Sequence, residues 1–243
     1  MRFYDLHVHS LFSEGVSSLE QLAETAKFLG YNAICFCAYY KNSAQIKKIY
    51  EEIEQVRNKV GIEVFLGFEA RNIKELSLLV KRRKKFDLLL VRGGDLKMNR
   101  AACETPQVDI LTHPERGRTD SGMNQVLMKL ATKNQVAIEL NFHEVLTASR
   151  SARAKILANM KKNVMLAQRY ETKIVTCSSA LSHFELKDPR VLASFANQLG
   201  LSLADAKRTV TKNPHEILQQ AKQRRREEWI MPGVEIVKEV KKS

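Results

Sequence analysis

The 243-residue sequence has no apolar run long enough to cross a bilayer. Its longest, Ala33 to Tyr40, is eight residues, where a membrane helix needs roughly 18 to 20. The first ten residues, MRFYDLHVHS, carry charges within the first five and no apolar core after them, so no secretory signal is expected. Cysteine is scarce. Cys35, Cys37, Cys103 and Cys177 form no CxxC pair and no framework spacing. Reduced thiols are therefore expected, and with them a cytoplasmic location. No Gly/Ser/Pro-rich linker divides the chain, and no internal repeat is present. Aromatic residues make up 7%, and none are interleaved among cations as a base-stacking surface requires.

What is present is an ordinary apolar content with an excess of positive charge. Hydrophobic residues at 44% and charged residues at 28% exclude wholesale disorder. Lysine and arginine number 40 against 27 acids, a net charge of +13. The excess lies entirely after residue 78: positions 1–78 carry 9 basic and 10 acidic residues, and the remainder carries 31 and 17. It concentrates in Lys81 to Lys85, in Arg150 to Lys173, and in Lys222 to Arg226. A surface holding this much like charge repels itself, and a polyanion relieves that repulsion. A nucleic acid is the expected partner. A membrane surface is not, because no basic amphipathic helix with exposed aromatics stands out.

Short β-rich runs alternate with helical stretches. Strands are expected at 3–8, 33–37, 63–68, 88–91, 108–111, 136–140 and 173–176. Helices are expected at 18–28, 44–59, 73–85, 124–133, 149–170, 190–199, 203–211 and 214–226. Seven strand–helix alternations with nearly all-apolar strands predict an α/β fold built on a parallel sheet covered on both faces. At this length a closed or nearly closed (β/α) TIM-like barrel is favoured over an open sheet. Residues 1–220 are read as one barrel domain with C-terminal helices, and 221–243 as a charged tail.

Chemistry in such barrels collects where strands end. Asp5, His7 and His9 alternate along the first strand and are expected on one face, with Leu6 and Val8 on the other. Glu69 ends the third strand, His113 follows the fifth in ILTHPERG, and Glu139 and Asn141 close the sixth. His7, His9, Glu69 and His113 are the metal-ligand candidates, suited to Zn²⁺ or Mn²⁺.

DLHVHS, Glu14-Gly15, LGFEA, ILTHPERG, AIELN and TCSSALSH stand in the order of the polymerase-and-histidinol-phosphatase (PHP) superfamily, which the sequence resembles. That resemblance implies a distorted seven-stranded barrel and a cluster of two or three metals. Two ligand groups of that pattern are absent. The second strand runs ICFCAYY where a TDH-like triplet belongs, and Ser178-Ser179-Ala180-Leu181 replaces SDAH, with His183 further along. This pattern of loss, with FDLLLVRGGD, VDILTHPERG and the NPxxIL step at Asn213 to Leu218, resembles the ribonuclease P protein component 3 family. The resemblance runs from the N-terminus to about Gln220. It implies an accessory subunit of a ribonucleoprotein that removes the 5′ leader from precursor tRNA. The RNA subunit with its Mg²⁺ would perform hydrolysis. This chain would need no cofactor, beyond a residual Zn²⁺ or Mn²⁺, and would have no catalytic residue of its own. A second small protein subunit would join it in a heterotetramer.

The RNA-binding candidates are Arg92, Arg116, Arg118, Arg150, Arg153, Lys155, Lys161 and Lys162. Arg92 alternatively forms an internal ion pair with Glu69 or Asp95. Arg150, Arg153 and Lys155 open a long helix, where cations oppose the dipole unless an anion lies near. Lys81 to Lys85 closes a helix, where cations suit the dipole. Arg224 to Arg226 with Glu227 and Glu228 reads as a self-paired helix. The alternation at 234–240 suits a strand added to a partner or a flexible tail. The competing function is a metal-dependent phosphoesterase.

Overall fold

Seven apolar runs become strands because each is covered on both faces. In the computed structural model, which describes residues 1–231 and 233–236, they are β1 (Tyr4–His9), β2 (Ala33–Ala38), β3 (Glu63–Ala70), β4 (Leu88–Arg92), β5 (Ile110–Thr112), β6 (Ala137–Asn141) and β7 (Ile174–Cys177). All pair in parallel, in sequence order. The intervening helices are α1 (Leu19–Phe28), α2 (Ser43–Val60), α3 (Ile73–Val80), α4 (Leu96–Glu104), α5 (Gln125–Asn134), α6 (Phe142–Thr147) and α7 (Arg150–Arg169). After β7 come α8 (Pro189–Gln198), α9 (Leu203–Arg208) and α10 (Lys212–Arg224), then a hairpin of β8 (Trp229–Met231) and β9 (Val234–Glu235). The expected TIM-like barrel is the observed one.

Two apolar layers hold it together. The interior carries alternate strand residues, among them Leu6, Cys35, Cys37, Leu88, Leu90, Ile110, Val175 and Cys177. The outer layer packs strands such as β2 and β4 through Ile34, Phe36, Leu89 and Val91 against the helices. Gly67 makes room on the inner face of β3, since a Cβ there would lie 2.9 Å from Leu90 Cδ1 and 3.0 Å from Cys35 Sγ and those side chains would have to shift. All four cysteines are buried and unpaired. No helix among the described residues is long and apolar enough to cross a membrane.

The seam between β7 and β1 is closed by substitutes for a ladder. His9 N donates to Ala180 O at 2.9 Å. Ser178 N donates to the Asp5 carboxylate, 3.1 Å from Oδ2. Below, Tyr4 N donates to Val210 O and Thr176 N to Thr209 O, so the α9–α10 connection satisfies the open strand edges. A register shift between Asp5 and Val8 breaks the β1 alternation. As a result Leu6 joins the interior while Val8 joins the outer layer. Asp5 therefore serves the seam and does not join the histidine face, as simple alternation had implied.

Other expectations need correction. The helix expected over 73–85 stops at Val80, and Arg83–Lys85 form a separate 3₁₀ turn. Arg83 turns inward from that turn and pairs with Asp109, Nη2 to Oδ2 at 2.6 Å. The boundary expected at 220/221 falls inside α10. Ile217, Leu218 and Ala221 of that helix plug the lower end of the barrel interior. Arg224 is buried against Asp109, and Arg225 pairs with Asp87. These two arginines are thus tied to the barrel and are not self-paired within the helix. The part of the 234–240 alternation beyond Ile236, and Pro232, lie outside the described residues.

Candidate functional site at the barrel rim and on helix α7

The upper interior is polar. His7 and His9 of β1, Glu69 of β3, Arg92 of β4, Thr112 of β5, and Glu139 and Asn141 of β6 meet where the strands end, all buried except Arg92 at 17% side-chain exposure. His7 Nδ1 lies 2.7 Å from Glu139 Oε1. Its Nε2 lies 3.0 Å from His9 Nε2, and His9 Nδ1 lies 2.9 Å from Ser13 Oγ. Glu69 Oε1 accepts from Thr112 Oγ1 at 3.0 Å. Its Oε2 accepts from Arg92 Nε at 3.0 Å and Nη2 at 2.6 Å. The same guanidinium reaches Glu14 Oε1 at 2.7 Å and the Tyr39 hydroxyl.

His113 joins from the loop after β5, at φ 29°. That loop is pinned by Asn99 of α4, whose Nδ2 donates to Pro114 O and to Gly122 O, both at 2.9 Å. Gly122 must be glycine. Its φ is +70°, and a Cβ would stand 1.9 Å from Pro114 O. His113 Nε2 is buried without a hydrogen-bond partner among the described residues and lies 3.8 Å from Glu69 Oε1.

Burial alone would push the His7 imidazole down. The Glu139 carboxylate outweighs it and lifts His7 to about 8. His9 goes the other way, to about 3, through burial and the neighbouring His7 cation. His7 is then the doubly protonated ring, donating Nδ1–H to Glu139 and Nε2–H to His9. Glu69 stays ionised despite burial, held to about 2 by His7, Arg92 and His113.

His7, His9 and Glu69 present ligand atoms within 4.8 Å of one another, and the orphan His113 Nε2 points to the same region. Once His7 gives up its Nε2 proton, these donors suit one Zn²⁺- or Mn²⁺-type ion. They do not fit the cluster of two or three metals that the PHP resemblance implies. Arg92, Arg116 and the His7 imidazolium already face the carboxylates Glu14, Glu69, Glu139 and Glu144. The remaining negative charge is far short of what two divalent ions require. Tyr39, in the ICFCAYY run that lacks the triplet, binds Arg92.

The basic candidates divide into two groups. On the rim, Arg92 is consumed by Glu69 and Glu14. Arg116 Nε lies 3.3 Å from Glu144 Oε1. Arg118 is bidentate on Asp120, at 2.6 and 2.9 Å, and donates to Gly94 O. On α7, Arg150, Arg153, Lys155, Lys161 and Lys162 are exposed, and no carboxylate among the described residues pairs with them. The first turn of α7 contains no acid and its Ser149 cap makes no side-chain hydrogen bond. Sequence reasoning missed Glu144 and Tyr39. It quoted Glu14 only within a motif, although Glu14-Gly15 follows the histidines closely.

A family model described as RNase P subunit p30 matches residues 2–226. Ribonuclease P protein component 3 of Methanosarcina mazei is 35% identical over 238 residues, covering 97% of this chain and 95% of that protein. The corresponding protein of Methanocaldococcus jannaschii is 34% identical, covering 91% and 95%. Among solved structures, a chain in the cryo-EM structure of archaeal ribonuclease P with mature tRNA superposes with a TM-score of 0.79 at 32% identity, covering 98% of this chain and all of that one. A Xaa-Pro dipeptidase with bound methionine has a TM-score of 0.59 at 11% identity, covering 91% and 76%, and shares the barrel fold alone. Matched along nearly its whole length, the chain belongs to the RNase P subunit p30 family, the protein subunits of ribonuclease P.

Proposed function

We propose that the chain binds RNA within ribonuclease P and supports removal of the 5′ leader from precursor tRNA. The observation that carries this is the outer face of α7. It places five cations with no carboxylate partner among the described residues on one exposed helix, Arg153 also donating to Ala148 O, and no acid stands in the first turn, where the dipole is positive. Such a face suits phosphates, and positions a duplex without reading its sequence. The mature tRNA in the related archaeal assembly supports a tRNA-shaped partner.

Catalysis belongs to the RNA subunit and its Mg²⁺, and this chain requires no cofactor. His7, His9, Glu69 and His113 form a vestigial metal site whose charge Arg92 now balances. The rim holds the loops after β1, β5 and β6 in place. One small protein subunit pairs with the chain in a heterotetramer. The working compartment is the cytoplasm, where buried free thiols persist. The phosphoesterase alternative is not supported, because the chain falls in the ribonuclease P family and its rim cation is an arginine.

Reconstitution tests this reading. Adding the chain to the RNA subunit with the other protein subunits should raise the rate of precursor-tRNA cleavage, while the chain alone should cleave nothing. No stimulation by the folded chain would overturn it.

A further inference from the structure

The lower end of the barrel carries a second basic feature, which the dipole argument does not absorb. α3 ends at Val80, so a helix dipole accounts for Lys81 but not for Lys84 and Lys85 on the 3₁₀ turn beyond it. Lys81, Lys84 and Lys85 are exposed, and no carboxylate among the described residues pairs with them. They border a cavity of about 320 Å³ whose wall includes Trp229 of β8, the only tryptophan of the chain, and the half-exposed Ile230.

The indole lies beside a fixed guanidinium. Arg224 Cζ lies 5.9 Å from the Trp229 ring centroid, and Arg224 is itself locked by Asp109 and by Asn134 O at 3.1 Å. Three exposed cations beside an aromatic ring flanked by a fixed arginine form a combination that takes a nucleotide: phosphates on the lysines, a base against the indole. We propose that this cavity binds an unpaired nucleotide segment of RNA, at the end of the barrel opposite the histidine rim. The inference rests on the RNA-binding reading above and adds a stacking contact that scarcity of aromatics in the sequence argued against. An acidic polypeptide would satisfy the lysines but gives no use for the indole.

Trp229 reports on its own site. The full chain is titrated with a ten-residue oligoadenylate while tryptophan emission is followed. The expected result is saturable quenching of the emission. Lys84→Glu with Lys85→Glu should raise the midpoint about tenfold and lower the log–log salt slope by about 1.4, two phosphate contacts at about 0.7 each. Silence of Trp229 at saturation, indifference to the Lys84 and Lys85 changes, or equal quenching by polyglutamate would each overturn the proposal. Anisotropy of labelled precursor tRNA, read in parallel, separates the two claims. Binding that depends on Lys161 and Lys162 while Trp229 stays silent removes only the cavity. No binding at all removes the RNA-binding reading with it.

Discussion

Arg92 donates two hydrogen bonds to one oxygen of Glu69, at 2.6 and 3.0 Å, across the top of neighbouring strands β4 and β3. A carboxylate that offers itself as a metal ligand thus already holds a cation. The pair explains how a rim of buried histidines and glutamates can be stable without a divalent ion. It also explains why Arg92 has little to offer a nucleic acid.

Arg92→Gln should take the guanidinium from Glu69 and Glu14 and leave them only their histidine neighbours. The cost is about 2–3 kcal/mol, below the roughly 3–5 of a fully buried pair because Arg92 keeps some solvent contact. Urea denaturation with and without Zn²⁺ checks this. Zinc should stabilise the variant more than the parent, since removal of the guanidinium frees Glu69 to join His7 and His9.

Glu115 predicts a pH dependence. It is 2% exposed, and burial pushes its carboxyl up to about 8. Between about pH 4.5 and 8 the unfolded chain releases this proton while the folded chain keeps it, so stability falls as pH rises. Glu115→Gln has no proton to lose and can keep the amide contact to Asn163, now 3.2 Å from Oε2. The variant should match the parent near pH 4 and exceed it by about 2–4 kcal/mol at pH 8.5. Chemical denaturation at the two pH values decides it.

Charge reversal separates the two groups of arginines and lysines. Lys161→Glu with Lys162→Glu on α7 should weaken precursor-tRNA binding and reduce the salt slope by about two units. Arg118→Ala should change the slope little, because Asp120 and Gly94 O already occupy that guanidinium. Affinity measured across a salt series gives both slopes.

At the lower end, Arg224→Met removes one of two arginines from buried Asp109. Arg83 remains, with further bonds to Gln107 O, Phe86 O and Asp87 O. The loss should be about 2–3 kcal/mol, a fall in Tm of about 5–10 °C for a chain of this size. Truncation after Gln220 should cost more, since it also removes Ala221 from the barrel plug. Thermal unfolding followed by circular dichroism checks both.

The seven strands were legible because both-face burial leaves unbroken apolar runs, as in Leu88 to Val91. His7, His9, Glu69 and His113 were legible because strand ends share one rim. The short α4 was missed. Its buried stripe is only Met98, Asn99, Ala102 and Cys103, although Asp95 caps it by accepting from Lys97 N and Met98 N. The bulge in β1 left no local signal, so the fate of Asp5 was hidden. Arg224 read as a surface cation because its partner, Asp109, is 115 positions away. Separation in sequence likewise hid Glu144 beside Arg116 and Tyr39 beside Arg92.

The most direct measurement is cleavage of precursor tRNA by the reconstituted enzyme carrying either of two altered chains. His9→Gln removes a neutral rim imidazole, and Lys161→Glu with Lys162→Glu reverses two charges on α7. The account predicts that the rim variant cleaves within about twofold of the parent, while the α7 variant loses about tenfold at subsaturating substrate and recovers at low salt. Loss of cleavage in His9→Gln with an unaffected α7 variant would contradict it.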